Sequence, residues 1–539
     1  MARLSKTVLI GLDGATFTVL DPLMREGVMP RLRDFVGSAA RAELISTPNP
    51  LTPPAWTSLV TGRTPGHHGI FDFVRASQGE QGLYFTLNAS YDIRCETIWS
   101  IVGRKGGRIA SLNFPVSAPP MKVNGVIVPG FVPWRHLRRS VHPEGFYEEI
   151  KALPGFDARE LSMDMVEELK AIQWIPDEEY ESWITHHTRR EGQWARIALH
   201  LLGRGDVDLL GVLFDGADKL QHLCWRYVDP AFASSDETER DRAIRGWCMD
   251  YFRTLDGHIG RILDAAGAEA RVIFASDHGF GATQEVFYAN VWLEREGYLR
   301  WTEAAPVDDG TRVARDRIKS HVEGIDWNAT KAFALTPSSN GIWIRRAGEG
   351  GPEAGAGVTG EQYEPFRAEL AGRLRRAIHP VTGGPLVRKV MTREEAFPGD
   401  SAARAPDLTL VLNDFGFISV LNADTLVRGR SEPAGTHRPE GIFIAGGPGI
   451  VAGSRMDPLE IIDVAPALLH GLGMEIPVDF EGRVPEECYD PEWAGSHPVR
   501  AGEATLPPGR AQSSEEPGAM SEEDQARVMA RLQALGYIE

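Results

Sequence analysis

Short apolar runs recur along the chain, and several are closed by a glycine or an acid. Thr7-Val-Leu-Ile-Gly-Leu12 is the first; Arg108–Leu112, Asp208–Phe214, Arg271–Ala275, Leu408–Leu412 and Gly441–Ala445 follow. Runs of this kind that do not alternate with polar residues read as strands buried on both faces. Helical periodicity appears between several of them, at Gln193–Leu202 and Trp247–Ala266. The alternation predicts an α/β fold, a three-layer α/β/α core with a mostly parallel sheet. Two regions fit it poorly: 120–200, rich in Pro, Trp and Arg, and 295–400, which holds the glycine-rich stretch Gly348–Gly360. They are predicted to be inserted cap regions, leaving a discontinuous core of 1–119, 201–294 and 401–490. Residues 491–520 are Pro, Gly, Ser and Glu with few apolar positions, which predicts a flexible linker. A capping-box-like start at Ser521–Asp524 then predicts a helix over 521–539, with Val528, Met529, Leu532 and Leu535 on one face. That face could dock on its own domain or on a partner.

Composition narrows the function. Lys plus Arg total 57 against 75 Asp plus Glu, a formal net charge of −18. A general nucleic-acid binder would carry a basic face, so that class is set aside. Small phosphorylated ligands stay open, because a bound cation reverses the local field. The four cysteines lie far apart and form no C-x-x-C pair, which argues against a disulfide framework or a thiolate zinc knuckle. The N-terminal apolar run stops at Asp13, and no stretch reaches the length of a membrane-spanning helix. The expectation is a soluble cytoplasmic protein. Nothing in the sequence addresses its oligomeric state.

The candidate chemistry sits at predicted strand ends, where open α/β sheets bind ligands. Asp13 follows the first strand, and Asp277-His278 follows Arg271–Ala275. Asp218 and His222 come shortly after Phe214, and their i, i+4 spacing puts both on one helix face. His437 lies just before Gly441–Ala445. Alone, each residue reads as a turn, cap or structural residue. Together they form a mixed N/O donor set suited to Zn²⁺, with Mn²⁺ or Fe as competitors. Thr52 stands at the head of Thr52-Pro-Pro-Ala-Trp-Thr-Ser-Leu-Val-Thr-Gly62, a predicted helix with Thr52 as N-cap and Pro53 at N1. A hydroxyl there meets the positive end of the helix dipole, a setting for an alkoxide or a phosphoryl oxygen. The donors available to such an oxygen would be the N–H groups of Thr52 and Ala55.

These segments, in this order, resemble the alkaline phosphatase superfamily. Within it they are most similar to the type I phosphodiesterase/nucleotide pyrophosphatase branch and its predicted bacterial phosphohydrolases. The resemblance rests on Gly11-Leu-Asp-Gly14, Leu51–Gly62 with His68-Gly-Ile70, Asp218-Lys-Leu-Gln-His222, Ser276-Asp-His-Gly279 and Gly435-Thr-His-Arg-Pro439. Ile461–His470 and Glu481-Gly-Arg483 resemble the family's closing segment. The resemblance implies an alkaline-phosphatase-like fold and two divalent metal ions. Asp218, His222 and His437 would hold one; Asp13, Asp277, His278 and the Thr52 oxygen would hold the other. It also implies that Thr52 attacks phosphorus to form a phosphothreonine intermediate, making the protein a hydrolase of phosphomonoesters or phosphodiesters.

One departure is informative. Nucleotide pyrophosphatases place a phosphate-binding Asn just after His-Gly-Ile, where this chain has Phe71-Asp-Phe73. The missing amide weighs against nucleotide substrates more than against phosphoester chemistry. Asn113, after Arg108–Leu112, could reach the site from a neighbouring strand as a substrate-binding residue, or could serve the turn before Phe114-Pro115. A sulfatase is disfavoured, because Thr52-Pro-Pro-Ala-Trp56 lacks both the Cys and the Arg of C-x-P-x-R. A phosphotransferase or phosphomutase of the same superfamily is not separated from a hydrolase by sequence. A non-catalytic ligand-binding relative would have no reason to keep all six ligands and Thr52. Arg135–Arg139, His67, His186-His187 and the tryptophans 134, 174 and 183 read by default as solvated or core residues.

Overall fold

A computed structural model describes residues 4–79, 82–161, 175–234, 236–308, 321–348 and 357–507. Thr7–Leu12 lies inside an eight-stranded sheet with the order Leu459–Glu460, Ala40–Ile45, Glu440–Gly446, Arg271–Ala275, Thr7–Leu12, Leu209–Phe214, Ile109–Leu112, Gly125–Val128. Every strand runs with Thr7–Leu12 except Glu440–Gly446, which pairs antiparallel to both neighbours. The sheet is therefore mixed but mostly parallel, as the apolar runs predict. Its strands are apolar on both faces because both faces are covered. Val8, Ile10 and Leu12 pack with helices Tyr180–Arg204, Gly216–Val228 and Glu239–Ala266, while Leu9 packs with helices Thr52–Thr61, Ile98–Arg104 and Val464–Gly471.

Register decides where the chemistry lands. Gly11 is level with Leu213 on one side and Ala275 on the other. The segments leaving these three strands, Asp13-Gly14, Asp215–Asp218 and Ser276–His278, therefore emerge at one edge. The Asp13 N–H donates to Phe214 O at 2.9 Å, locking two of those exits together.

Three expectations are corrected. Leu408–Leu412 is not in the central sheet; it belongs to a four-stranded sheet with Ala332–Phe333, Gly341–Ile344 and Val387–Thr392. That sheet has its own core around Ile342, Leu370, Leu408 and Leu410. An apolar run marks burial but not the sheet it joins. The region 120–200 is not only a cap: Gly125–Val128 forms the edge of the central sheet, and Tyr180–Arg204 is a 25-residue helix packed under it. Trp183 is fully buried in that core. Residues 491–507 are not a loose linker. Trp493 stacks on Tyr489 and His497, the Arg271 guanidinium lies 4.6 Å from its ring, and Ala501–Gly502 pairs with Ile476–Pro477. One tryptophan outweighs a polar composition when a cation and two rings receive it. The remainder of the predicted linker, the 521–539 helix and Trp174 lie outside the described residues.

Candidate metal centre

Helix Gly216–Val228 carries Asp218 and His222, so their i, i+4 spacing does place them on one turn-to-turn face. His437 comes from strand Val427–Arg438, which pairs antiparallel with Gly279–Tyr288 directly after Asp277-His278. Gly435 allows the helix and strand to meet: a Cβ there would lie 2.1 Å from Gln221 O. Its carbonyl accepts from His222 Nδ1 at 3.2 Å. Gly14, at φ +65°, is equally constrained, because a Cβ would strike the Phe280 ring at 2.6 Å; its N–H donates to Asp277 Oδ1 at 3.1 Å.

The six predicted ligands converge in a buried pocket. Asp13, Asp277 and His278 offer one set of mutually close ligand atoms, and Asp218, His278 and His437 a second. His278 Nε2 lies 3.2 Å from Asp277 Oδ2, 3.7 Å from Asp13 Oδ1 and 3.9 Å from Asp218 Oδ1. His222 Nε2 is 3.0 Å from His437 Nε2 and 3.6 Å from Asp218 Oδ1, so His222 closes the second set. Each imidazole has a backbone carbonyl for its Nδ1–H: Gly435 for His222, Gly279 for His278 and Pro50 for His437, the last at 2.7 Å. That second shell assigns the tautomer and turns every Nε2 lone pair inward.

The residues fit divalent cations. Asp13 Oδ1, Asp218 Oδ1, Asp277 Oδ2 and His278 Nε2 are buried and complete no hydrogen bond, although buried polar atoms are ordinarily satisfied. Two imidazole lone pairs 3.0 Å apart repel unless a cation lies between or beside them. Burial pushes Asp277 up to about 8, with Asp218 adding to the rise, and it raises Asp13 well above the usual carboxylate range with Asp277 and Asp218 contributing. Burial opposes ionisation of Asp218 too, but His222, His437 and Lys219 outweigh it and hold that carboxyl low. Burial lowers His222 to about 4 and holds His278 well below its ordinary value, keeping both neutral and able to ligate. Three carboxylates that resist joint ionisation, beside two imidazoles held neutral by burial, make a cage for positive charge.

Thr52 is buried at the first position of helix Thr52–Thr61, with Leu51 rather than Thr52 as N-cap. The Ala55 N–H donates to Leu51 O at 3.0 Å, so it is spent inside the helix and the expected second donor is lost. Trp56, one turn on and on the same face, donates from Nε1 to Asp13 Oδ2 at 3.4 Å. Asn113 lies at φ +69° with its amide nitrogen donating to Leu213 O at 2.9 Å and Asp215 Oδ1 at 3.1 Å. Arg190 reaches its oxygen at 3.5 Å. That is the turn role, and the substrate-binding expectation finds no support in it.

Two elements escaped the sequence reading. Lys219 is buried with Nζ 3.9 Å from Asp218 Oδ2 and 5.5 Å from the centre of the Phe131 ring. Its position directly after the candidate ligand Asp218 was the signal the sequence carried. Behind it, Arg190 Nη1 grips both oxygens of Asp215 at 2.7 Å, and Glu191 accepts from Gly216 N at 2.6 Å, fastening the start of the helix that carries Asp218 and His222. Only folding brings these together.

The type I phosphodiesterase/nucleotide pyrophosphatase family model matches residues 7–439, most of the chain and every one of these segments. The chain belongs to that family. It is accordingly a hydrolase acting on phosphoric ester bonds, with buried Asp and His clusters consistent with a two-metal site. Phosphonoacetate hydrolase from Sinorhizobium meliloti 1021, solved with phosphonoformate, has a similar fold: TM-score 0.50 and 15% identity over 87% of this chain and 95% of that one. Murine ectonucleotide pyrophosphatase/phosphodiesterase 5, solved as an inactive variant with AMP, gives a TM-score of 0.48 and 14% identity over 88% and 96%. No curated protein matches the sequence. Among the described residues no helix is long and apolar enough to cross a membrane.

Asp72 lies in the Phe71-Asp-Phe73 segment that follows His68-Gly-Ile70. It accepts from Thr336 Oγ1 at 2.7 Å and Ser338 Oγ at 2.8 Å, facing the 332–344 segment. Burial raises its pKa from 3.8 to about 6 despite these bonds. The folded state thus holds the proton more tightly than the unfolded chain. This contribution to stability is present below pH 4, declines as pH rises to 6 and is gone above it, at most ~3 kcal/mol for a shift of about two units. Asp72→Asn should flatten that segment of the curve. If the wild-type-minus-variant Tm difference is constant from pH 4 to 7, the assignment is wrong.

Proposed function

We propose that the protein hydrolyses phosphoesters through a two-cation centre, with Thr52 as nucleophile and a phosphothreonine intermediate. The observation that carries this reading is the convergence of four orphaned ligand atoms on one buried pocket beside the Thr52 helix. Two links support the position of Thr52. Pro50, two residues before it, is hydrogen-bonded to the ligand His437, and Trp56 on its helix face is bonded to Asp13. Asp13, Asp277 and His278 would hold one cation with Thr52, and Asp218, His222 and His437 the other. Zn²⁺ suits the mixed imidazole and carboxylate set. When bound, the cations would supply a lowered hydroxyl pKa, charge neutralisation and an activated water.

The chain's own residues do the rest. Thr52 Oγ forms its bond to phosphorus as the ester oxygen departs, and water then cleaves the phosphothreonine to restore the hydroxyl. Pro53 and Pro54 carry no N–H, so the N–H of Thr52 itself would be the donor at this helix end. Lys219 adds a buried positive charge toward an entering phosphoryl oxygen. The Nδ1–H bonds to Gly435, Gly279 and Pro50 keep the three rings oriented before substrate arrives.

Two measurements test this. Purified protein should turn over p-nitrophenyl phosphate or bis-p-nitrophenyl phosphate with added Zn²⁺ or Mn²⁺, and chelation should abolish it. Saturating Zn²⁺ at about 1,000 times its Kd should stabilise the protein by about 4 kcal/mol in urea melts. His222→Ala and His437→Ala should stay folded but hold less metal by elemental analysis. No bound transition ion together with no activation by any would overturn the proposal.

A further inference from the structure

Lys219 is the charged residue of the centre that the candidate ligand set does not explain. Its side chain is buried, and its Nζ lies 3.9 Å from Asp218 Oδ2. The other oxygen of that carboxylate, Oδ1, faces the imidazoles of His437, His222 and His278 at 3.3, 3.6 and 3.9 Å. Only the width of one carboxylate therefore separates the ammonium from the convergent ligand atoms. The Phe131 ring stands 5.5 Å from the same Nζ. Phe131 leaves the carboxyl end of strand Gly125–Val128, which runs parallel to Ile109–Leu112. Gly130 approaches Asn113 so closely that a Cβ would lie 2.2 Å from Asn113 O, and Phe131 is held at φ +57°, a backbone that bulky residues rarely adopt. Asp218 and Phe131 together put the ammonium at the edge of the sheet where ligands bind.

Charge gives this placement its meaning. Asp13, Asp218 and Asp277 against two divalent cations leave one positive charge, and Lys219 raises the excess to two while Thr52 is a hydroxyl. The groups behind Lys219 do not change that balance. Arg190 grips Asp215 in a neutral pair, and burial with Asp215 pushes Glu191 up to about 8, which leaves it protonated at neutral pH. No side-chain amide directly follows His68-Gly-Ile70, and Asp72 there accepts from Thr336 and Ser338. A buried excess of two positive charges is matched by a dianion, whereas a monoanion leaves one of them uncompensated.

Resting on the phosphoester reading of this centre, we infer that Lys219 selects dianionic substrates, its ammonium taking an unesterified phosphoryl oxygen, so that the protein prefers phosphomonoesters to phosphodiesters. A monoester keeps that oxygen charged; a diester replaces it with a neutral alkoxy group. A lysine ammonium is a point charge suited to a phosphoryl oxygen. The products are inorganic phosphate and an alcohol, water supplying the oxygen added to phosphorus and the proton that ends on the alcohol.

Ligands with no ester bond separate this inference from turnover. Phenylphosphonate and methylphenylphosphinate have nearly the same shape and differ by one charge. Both are titrated calorimetrically into Zn²⁺-loaded wild type and Lys219→Met, at a pH where the phosphonate is a dianion. Wild type should bind the phosphonate about tenfold or more tightly than the phosphinate. In Lys219→Met that preference should shrink to about threefold or less, with both cations still present by elemental analysis. Lys219→Gln serves if the Met variant unfolds. Equal binding of the two ligands by wild type overturns the inference, as does a preference that survives in the variant or one that vanishes together with a cation. If the preference holds but neither p-nitrophenyl ester is turned over, the selectivity of Lys219 stands and the phosphoester reading falls. Turnover of both esters without the ligand preference does the reverse.

Discussion

Thr52→Ala should lower kcat on a p-nitrophenyl phosphoester by on the order of 10⁴-fold or more, while the protein stays folded. The hydroxyl is the only group on that helix turn able to bond to phosphorus; Pro53 and Pro54 offer no alternative. Because Thr52 is also proposed to complete a cation's ligand set, metal content must be measured on the variant. Two occupied sites with no turnover would separate the nucleophile from the ligand role. Thr52→Ser keeps the hydroxyl and should recover turnover to within about tenfold of wild type. Rapid quenching of wild type with labelled substrate should trap phosphate on residue 52. Wild-type turnover by Thr52→Ala would falsify the assignment outright.

Arg190→Met should cost about 3–5 kcal/mol of unfolding free energy, a large share of what holds an ordinary domain together. Arg190 and Asp215 are 2% and 1% exposed at their side chains, and Arg190 Nη1 bonds both carboxylate oxygens at 2.7 Å. Burial alone would drive Asp215 toward protonation; Arg190, Lys219 and Asn113 overcome it and keep its pKa below 3.8. Without the guanidinium, a buried carboxylate faces Glu191, whose own pKa burial and Asp215 already push up to about 8. Urea melts should show the midpoint falling with an unchanged slope. Adding Asp215→Asn should restore much of the loss, because the double variant buries no unpaired charge at that position. A single-variant loss under about 1 kcal/mol would mean that water reaches the pair. Since Asp215 precedes helix Gly216–Val228, the single variant should also weaken metal binding through Asp218 and His222.

Local pattern and residue order determined much of this protein. Thr7–Leu12, Asp208–Phe214 and Arg271–Ala275 read as doubly buried strands, because a strand covered on both faces has no polar side to show. Asp13, Asp218, His222, Asp277, His278 and His437 were legible as candidates because each follows or precedes such a run, and a strand end in an open sheet is where ligands bind. Their spacing, with Thr52 before two prolines, was enough for the family.

Tertiary structure decided what depends on partners distant in sequence. Leu408–Leu412 and Gly125–Val128 carry equally apolar runs, yet one left the central sheet and the other joined its edge, since pairing is settled by what lies alongside. Trp493 held 491–507 against Arg271, a contact spanning more than 200 positions that composition could not register. Asn113 went to Asp215 and Arg190 rather than to the site, because a buried carboxylate and guanidinium claimed its amide. A cavity joins residues near 70 to residues near 400, and only the fold places Arg94 and Arg404 side by side at Gly69.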